Sequence, residues 1–176
     1  MASENTSHRP EFYWSPADTP VGPVVIVAGP EGLYRVGLGV TPERAAEYVR
    51  DVSENSERAD EQLTPVVEAL NEFLLGTRRE FPYVLDTYQG SEFDRSVWSE
   101  LRRIPRGTTR TYGAIASLLG MSPGAARAVG QACGRNPLPL VIPCHRVIAS
   151  DGSLGGYAGG PDLKARLLKL EGVLLV

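Results

Sequence analysis

Cys144, His145 and Arg146 are adjacent, follow Pro143 directly, and hold the most reactive chemistry in this chain. A thiol attacks as its thiolate, and a neighbouring imidazole or cation is the usual means of generating one at neutral pH. Proline denies a donor to any ladder and stiffens the approach, so the sulfur would be held in place. The preceding run, Leu138-Pro139-Leu140-Val141-Ile142, reads as a buried strand or strand-like segment that Pro143 stops. A cysteine beside such a run is also a common small core residue, so packing and nucleophilic roles both stay open on these positions alone. Glu171 adds a second clue. It falls in the last turn of a helix, where the macrodipole disfavours an anion by about 0.3–1 kcal/mol. That placement becomes sensible if Glu171 accepts a hydrogen bond from an imidazolium. Of the two histidines, His8 lies in a polar tail, which leaves His145.

The remaining composition narrows the chemistry. At 176 residues the chain fits one ordinary domain or two small ones, and 42% hydrophobic with 22% charged residues describes a soluble globular protein. No apolar run of about eighteen residues occurs, so no membrane partner is expected. The polar N-terminus lacks an apolar signal core, and two cysteines suit a reducing, cytoplasmic setting. Metal-ligand spacings such as CxxC are absent, so neither a metal nor a cofactor is expected. The net charge of −3 is unevenly spread: residues 1–90 carry 7 basic against 15 acidic side chains, residues 91–176 carry 11 against 6. A basic C-terminal half on an acidic chain suggests a localised polyanion-binding face, although solvated charges scattered by chance would look the same.

The elements that must position the reactive residues can be read in order. Residues 1–12 form a polar tail expected to be disordered. Val24–Ala28, the turn Gly29-Pro30-Glu31-Gly32 and Leu33–Leu38 spell a hairpin. Thr41-Pro42 opens a helix through about Val52, Ser53–Gln62 reads as an acidic connector, and Thr64-Pro65 repeats the helix-start signal. The stretch Asp86–Gly90 marks a boundary, giving a small α+β domain over 13–86 and a mostly helical one over 87–176. In the latter, Ser91 with Asp94 resembles a capping box, and Phe93, Val97, Leu101 and Ile104 repeat at helical spacing. Thr111 caps a short helix, Tyr112–Leu119, and Ser122-Pro123 opens another over Gly124 to about Cys133. That is a helix-turn-helix pattern. Its second helix is nearly bare, presenting Arg127 among alanines and glycines such as Ala126 and Gly130. Such a helix suits either close approach to DNA or tight packing in a core. Between Asp151 and Pro161, five glycines make a loop that can approach a ligand or serve as a linker. A last helix runs from Asp162 to Glu171.

Pro143-Cys144-His145-Arg146-Val147, preceded by Asn136-Pro137 and followed by Gly156-Tyr157-Ala158-Gly159-Gly160 and Leu170-Glu171-Gly172, resembles the O6-alkylguanine-DNA alkyltransferases. The likeness is strong over about 86–176 and weaker over 14–85, where Thr19-Pro20-Val21-Gly22-Pro23 looks like the family's opening strand. The fold it implies is α+β: a small N-terminal α/β domain of RNase H-like type, then a helical domain with a winged helix-turn-helix-like motif. The reaction it implies is irreversible transfer of the alkyl group from O6-alkylguanine in double-stranded DNA to Cys144 after base flipping, with O4-alkylthymine as a second expected substrate. Position by position, Cys144 matches the nucleophile, His145 the residue that takes its proton through a water, and Glu171 the carboxylate that orients and charges the histidine. Asn136 matches the brace of the active-site turn, Tyr112 the donor to the guanine ring, and Arg127 the finger that enters the base stack. The carbonyls of Cys144 and Val147 would read the exocyclic amine, and the loop at Tyr157 and Ala158 would contact O6. Ala158 stands where some members have serine, so a hydroxyl contact is lost there. The resemblance implies a monomer in solution, with cooperative binding along DNA left open.

Three other readings compete. A non-catalytic relative that binds alkylated DNA and hands it on would carry tryptophan in place of Cys144. A plain helix-turn-helix regulator would leave the Cys-His-Glu set without a purpose. A thiol hydrolase would draw its histidine from a distant segment, and His8 is the only spare one.

Overall fold

The structure, a computed structural model, describes residues 10–173. It is α+β. Strands β1 (Phe12–Thr19), β2 (Gly22–Gly29) and β3 (Gly32–Leu38) form an antiparallel meander. Gly32 (φ 131°) closes the β2–β3 turn in a conformation that side chains rarely adopt, and a Cβ there would strike the Val84 carbonyl. The hairpin expected over 24–38 is present. Its apolar run does not alternate because β2 is covered on both faces. Val25 and Val27 pack with Trp14 against Ala45 and Val49 of helix α1 (Pro42–Arg50), while Val24 and Ile26 face the main core.

Three local expectations are corrected on this side of the molecule. Phe12, placed in the polar tail, opens β1, and residues 1–9 of that tail lie outside the described residues. The supposed connector 53–62 contains strand β4 (Ser56–Arg58), which lies parallel to β1 and completes the sheet order β3-β2-β1-β4. Polarity hid it, because β4 is held by backbone pairing while Glu57 and Arg58 face solvent. Helix α2 runs Asp60–Leu75 and so begins before Thr64-Pro65; Pro65 sits inside it and forfeits one ladder bond. Gly76, at φ 79°, ends α2 as a left-handed cap.

Helix α3 (Glu92–Arg102) starts with the expected capping box. The Asp94 N–H donates to Ser91 Oγ at 3.1 Å, and the Ser91 N–H donates to the Asp94 carboxylate at 3.2 Å. A two-residue strand β5 (Arg110–Thr111) leads into α4 (Tyr112–Leu118), where Thr111 Oγ1 accepts the Ala114 N–H. After Gly120, a 3-10 turn over Pro123–Ala125 precedes α5 (Ala126–Gly134), so the second helix of the pair is α-helical only from Ala126. Strand β6 (Val147–Ile148) pairs parallel with β5. Helix α6 runs Gly160–Leu170, with Glu171 as its C-cap.

The segment before the reactive cysteine is not a strand. Residues 138–142 fold into a tight buried turn in which the Ile142 N–H donates to the Leu138 carbonyl at 2.9 Å and Leu140 adopts φ 78°. Leu138, Leu140 and Ile142 are fully buried, and burial alone makes an apolar run look like a strand in sequence. One apolar cluster joins Val24 and Ile26 of the sheet, Leu70 and Leu74 of α2, Trp98 and Leu101 of α3, and this turn. The Trp98 indole donates to the Ala132 carbonyl at 2.9 Å, fixing α3 against α5. The turn that carries the thiol is therefore seated on a continuous core. No helix among the described residues is long and apolar enough to cross a membrane.

Candidate active site

Asn136 builds the turn that presents the thiol. Its Oδ1 accepts the Leu138 N–H at 3.0 Å, which orients the amide. Its Nδ2 then donates to the Ile142 carbonyl at 2.9 Å and to Cys144 Sγ at 3.2 Å. Every hydrogen-bonding group of this buried side chain is used. Cys144 opens a 3-10 turn, Cys144–Arg146, and is only 4% exposed. Burial pushes its thiol up from the ordinary value, opposed by the Asn136 hydrogen bond and the Lys164 cation.

Behind the sulfur lies a buried charge relay. His145 Nε2 and Glu171 Oε1 are 2.9 Å apart, with the two side chains 1% and 4% exposed. A carboxylate accepts, so Nε2 carries the hydrogen, and the neutral ring keeps a lone pair on Nδ1, which has no partner among the described residues. Burial lowers the imidazole below its ordinary value, and Glu171 resists that shift. Arg146 grips the same carboxylate through Nε at 2.9 Å and Nη2 at 2.8 Å, and donates to the Ile104 carbonyl at 2.6 Å. For Glu171, burial alone would raise the carboxyl, but the bonds from His145 and Arg146 outweigh it and bring it down to about 2. At neutral pH the arrangement is a neutral thiol, a neutral imidazole and an ionised, fully paired carboxylate. Proton transfer from sulfur to imidazole can then be coupled to attack rather than standing as a permanent thiolate.

The sulfur faces a cavity of about 640 Å³, within the roughly 300–1,000 Å³ typical of small-molecule sites. One wall is α5, through Ala126, Arg127, Gly130 and Cys133; the other is the loop Gly156, Tyr157 and Ala158, with Tyr112 between them. Arg127 is exposed at the mouth. The Tyr112 hydroxyl reaches the Gly156 carbonyl at 3.4 Å, and burial, with smaller contributions from Cys133 and Cys144, pushes it up to about 12. It therefore keeps its proton and can donate. The Tyr157 hydroxyl is buried with no partner among the described residues. Of the expected site residues, Asn136, His145, Val147 and Glu171 stand off this cavity's wall; Val147 is fully buried, and its carbonyl accepts a bond from Lys164. A second lone pair remains on that oxygen. No group of three metal-ligating side chains occurs among the described residues.

Sequence reasoning missed two members of the site. Arg146 was grouped with the reactive residues but given no role, and it proves to be the principal cationic partner of Glu171. Lys164 is fully buried and has no carboxylate partner among the described residues. Its ammonium donates to the carbonyls of Val147 (2.6 Å), Leu154 and Gly156 (3.3 Å) and to the Tyr112 hydroxyl (3.5 Å). Burial lowers its pKa, and the carbonyl cage offsets lost hydration. The signal for it was available: Lys164, Leu167, Leu168 and Glu171 follow at i, i+3, i+4 and i+7, so the lysine shares the inward stripe of α6. Replacing Lys164 with methionine keeps much of the volume but unties the glycine-rich loop from the cysteine turn and Tyr112. We expect the rate of the chemical step to fall by about tenfold to a hundredfold through lost positioning. A single-turnover rate within twofold of wild type, in a protein of unchanged melting temperature, would remove Lys164 from the site.

Comparison with known proteins finds relatives over most of the chain. Residues 92–173 match the family model described as the 6-O-methylguanine DNA methyltransferase DNA-binding domain. A methylated-DNA–protein-cysteine methyltransferase of Methanosarcina acetivorans is 41% identical over 161 residues, covering 92% of this chain and 99% of that one. One from Mycolicibacterium paratuberculosis is 54% identical over 105 residues, 60% of this chain and 62% of its own. Among solved structures, Mycobacterium tuberculosis OGT in complex with DNA superposes with a TM-score of 0.76 at 37% identity, covering 90% of this chain and 92% of that one.

Proposed function

The chain belongs to the family of methylated-DNA–protein-cysteine methyltransferases, and from that premise we propose that it reverses O6-alkylation of guanine in duplex DNA by moving the alkyl group onto Cys144. The observation that carries this assignment is the buried thiol on the wall of a base-sized cavity, backed by the His145–Glu171 pair. His145 takes the thiol proton at Nδ1 by way of a bridging water, since Nδ1 has no direct partner among the described residues. The sulfur electron pair forms a bond to the alkyl carbon, the carbon–O6 bond breaks, and its electrons leave with guanine. The Tyr112 hydroxyl donates to the ring nitrogen on which charge develops, and the proton from the thiol ends on the released base. The product is a thioether, which offers water no acyl carbon to attack. One molecule removes one lesion.

Reaching the sulfur requires the base to leave the duplex, which costs a few kcal/mol of stacking and pairing. The small-residue face of α5, with Ala126 and Gly130, lets the helix approach the groove closely, and Arg127 at the cavity mouth can fill the vacated stack. Ala158 and Tyr157 meet the O6 side of the base, and the free lone pair of the Val147 carbonyl is left for its exocyclic amine. The sheet order β3-β2-β1-β4 with a parallel β4 supports an RNase H-like reading of residues 13–86, and the α4–α5 pair beside β5 and β6 supports a winged helix-turn-helix-like reading of 87–176.

Stoichiometry tests the proposal. With duplex carrying one O6-methylguanine in tenfold excess, the lesions removed should plateau at about one per protein molecule, however long the incubation. Continued removal past that plateau would sink the one-shot mechanism.

A further inference from the structure

A second cavity, of about 660 Å³, lies behind the reactive turn. Pro143 and Arg146 line it, whereas Cys144 lines the reactive cavity, so the two open on different sides of the same 3-10 turn. Six guanidinium groups border it: Arg78, Arg79, Arg102, Arg103, Arg106 and Arg146. The single bordering carboxylate is Glu80. Three of the arginines have close carboxylate partners: Arg78 with Glu72 at 2.7 Å, Arg103 with Glu100 at 2.6 Å, and Arg146 with Glu171 at 2.8 Å. Arg106 is only 3.8 Å from Glu171 and spends Nη2 on the Leu170 carbonyl. Arg79 and Arg102 are exposed and make no ion pair or hydrogen bond among the described residues. The C-termini of α2 and α3 adjoin the cavity, and compensating two helix ends would occupy one or two cations, not six.

The walls also favour an occupant. Gly76, the left-handed cap of α2, approaches Arg106 so closely that a Cβ would meet its Nε at 2.8 Å, which brings the end of α2 against that side chain. Phe73 and Phe81 form an edge-to-face pair along one side. A concave space with unpaired guanidinium forks suits phosphate oxygens, which accept paired N–H donors. We propose that this cavity is a separate binding site for a small oligophosphate anion, held chiefly by Arg79, Arg102 and Arg106. An occupant would sit next to Arg146, which grips Glu171, and so beside the His145 relay. The proposal does not depend on the alkyl-transfer reading.

The test is calorimetric titration of the full chain with sodium tripolyphosphate. Wild type should give a saturable one-to-one isotherm. The double variant Arg79→Ala/Arg102→Ala should bind about tenfold more weakly or not at all, since each lost arginine removes charge-assisted bonds. A charge-matched control, Arg44→Ala/Arg50→Ala on α1, should bind as wild type does. Saturating the protein with undamaged duplex should leave the tripolyphosphate affinity unchanged. No saturable isotherm, equal losses in both double variants, or displacement by duplex would each overturn the proposal; the last would assign these arginines to the DNA backbone. Methyl transfer by Arg79→Ala/Arg102→Ala, measured without the anion, should match wild type, which keeps this outcome distinct from a failure of the repair assignment.

Discussion

Replacing Cys144 with alanine should abolish alkyl transfer completely while leaving affinity for the lesion duplex within about twofold of wild type. The step needs a soft nucleophile on the cavity wall with a base beside it, and His145 serves as that base rather than as an acceptor. The DNA-facing parts, α5 and Arg127, do not depend on the sulfur. The cost to the fold should be small, about 1 kcal/mol, because Asn136 loses one of two acceptors but keeps the Ile142 carbonyl. A filter-binding curve and a single-turnover transfer assay on the same preparation would check both halves. Cys133 gives the alternative a definite form. It lines the same cavity, and burial pushes its thiol up as it does that of Cys144, but among the described residues it has neither the Asn136 hydrogen bond to its sulfur nor the adjoining His145–Glu171 pair. Transfer that survives in Cys144→Ala and disappears in Cys133→Ala would move the nucleophile to α5.

The second large effect is expected at Glu171. Glu171→Gln keeps the shape but leaves the Arg146 guanidinium buried without a counter-charge, and breaking such a pair typically costs roughly 3–5 kcal/mol. The amide oxygen can still accept the Nε2 hydrogen, but the charge that would stabilise an imidazolium is lost, so His145 becomes a weaker base and the rate should fall by about a hundredfold, the lower end of the scale for general-base catalysis. The pH dependence separates this account from a generic packing defect. Glu171 has a folded value of about 2 against 4.5 ordinarily, so its stabilisation is present above about 4.5 and lost as pH falls from there towards 2. The stability gap between wild type and Glu171→Gln should therefore be wide at pH 7 and shrink as the solution is acidified below 4.5. A gap that stays constant from pH 7 to pH 3 in denaturant titrations would show that the carboxylate is not held by its charge partners.

Much of this site was legible in the sequence, and the reason differs by residue. Glu171 could be paired with His145 because an anion at a helix C-terminus is electrostatically misplaced unless something receives it, and only one histidine lay outside the tail. The Ser91–Asp94 box and the Thr111 cap were legible because capping depends on side chains at fixed local spacing. What escaped was held by backbone or by long-range contacts. Strand β4 pairs through main-chain groups that sequence polarity does not report. The turn at 138–142 replaces ladder bonds with the Asn136 amide, and full burial makes its apolar residues indistinguishable from a strand. Pro65 stands inside α2 because tertiary packing of Leu63, Ala69, Leu70 and Leu74 outweighs one missing hydrogen bond. Lys164 carries no sequence motif of its own, and only its register with Leu167, Leu168 and Glu171 points inward.

The central claim is that Cys144 itself becomes the permanent acceptor of the alkyl group. Its most direct test is the intact mass of the protein after reaction with duplex DNA carrying one O6-methylguanine, followed by peptide mapping. A stoichiometric gain of about 14 Da, one methyl replacing the thiol proton, should appear and map to the peptide containing Cys144. An unchanged mass in protein that still binds the lesion would contradict the claim and leave a protein that recognises alkylated DNA without repairing it.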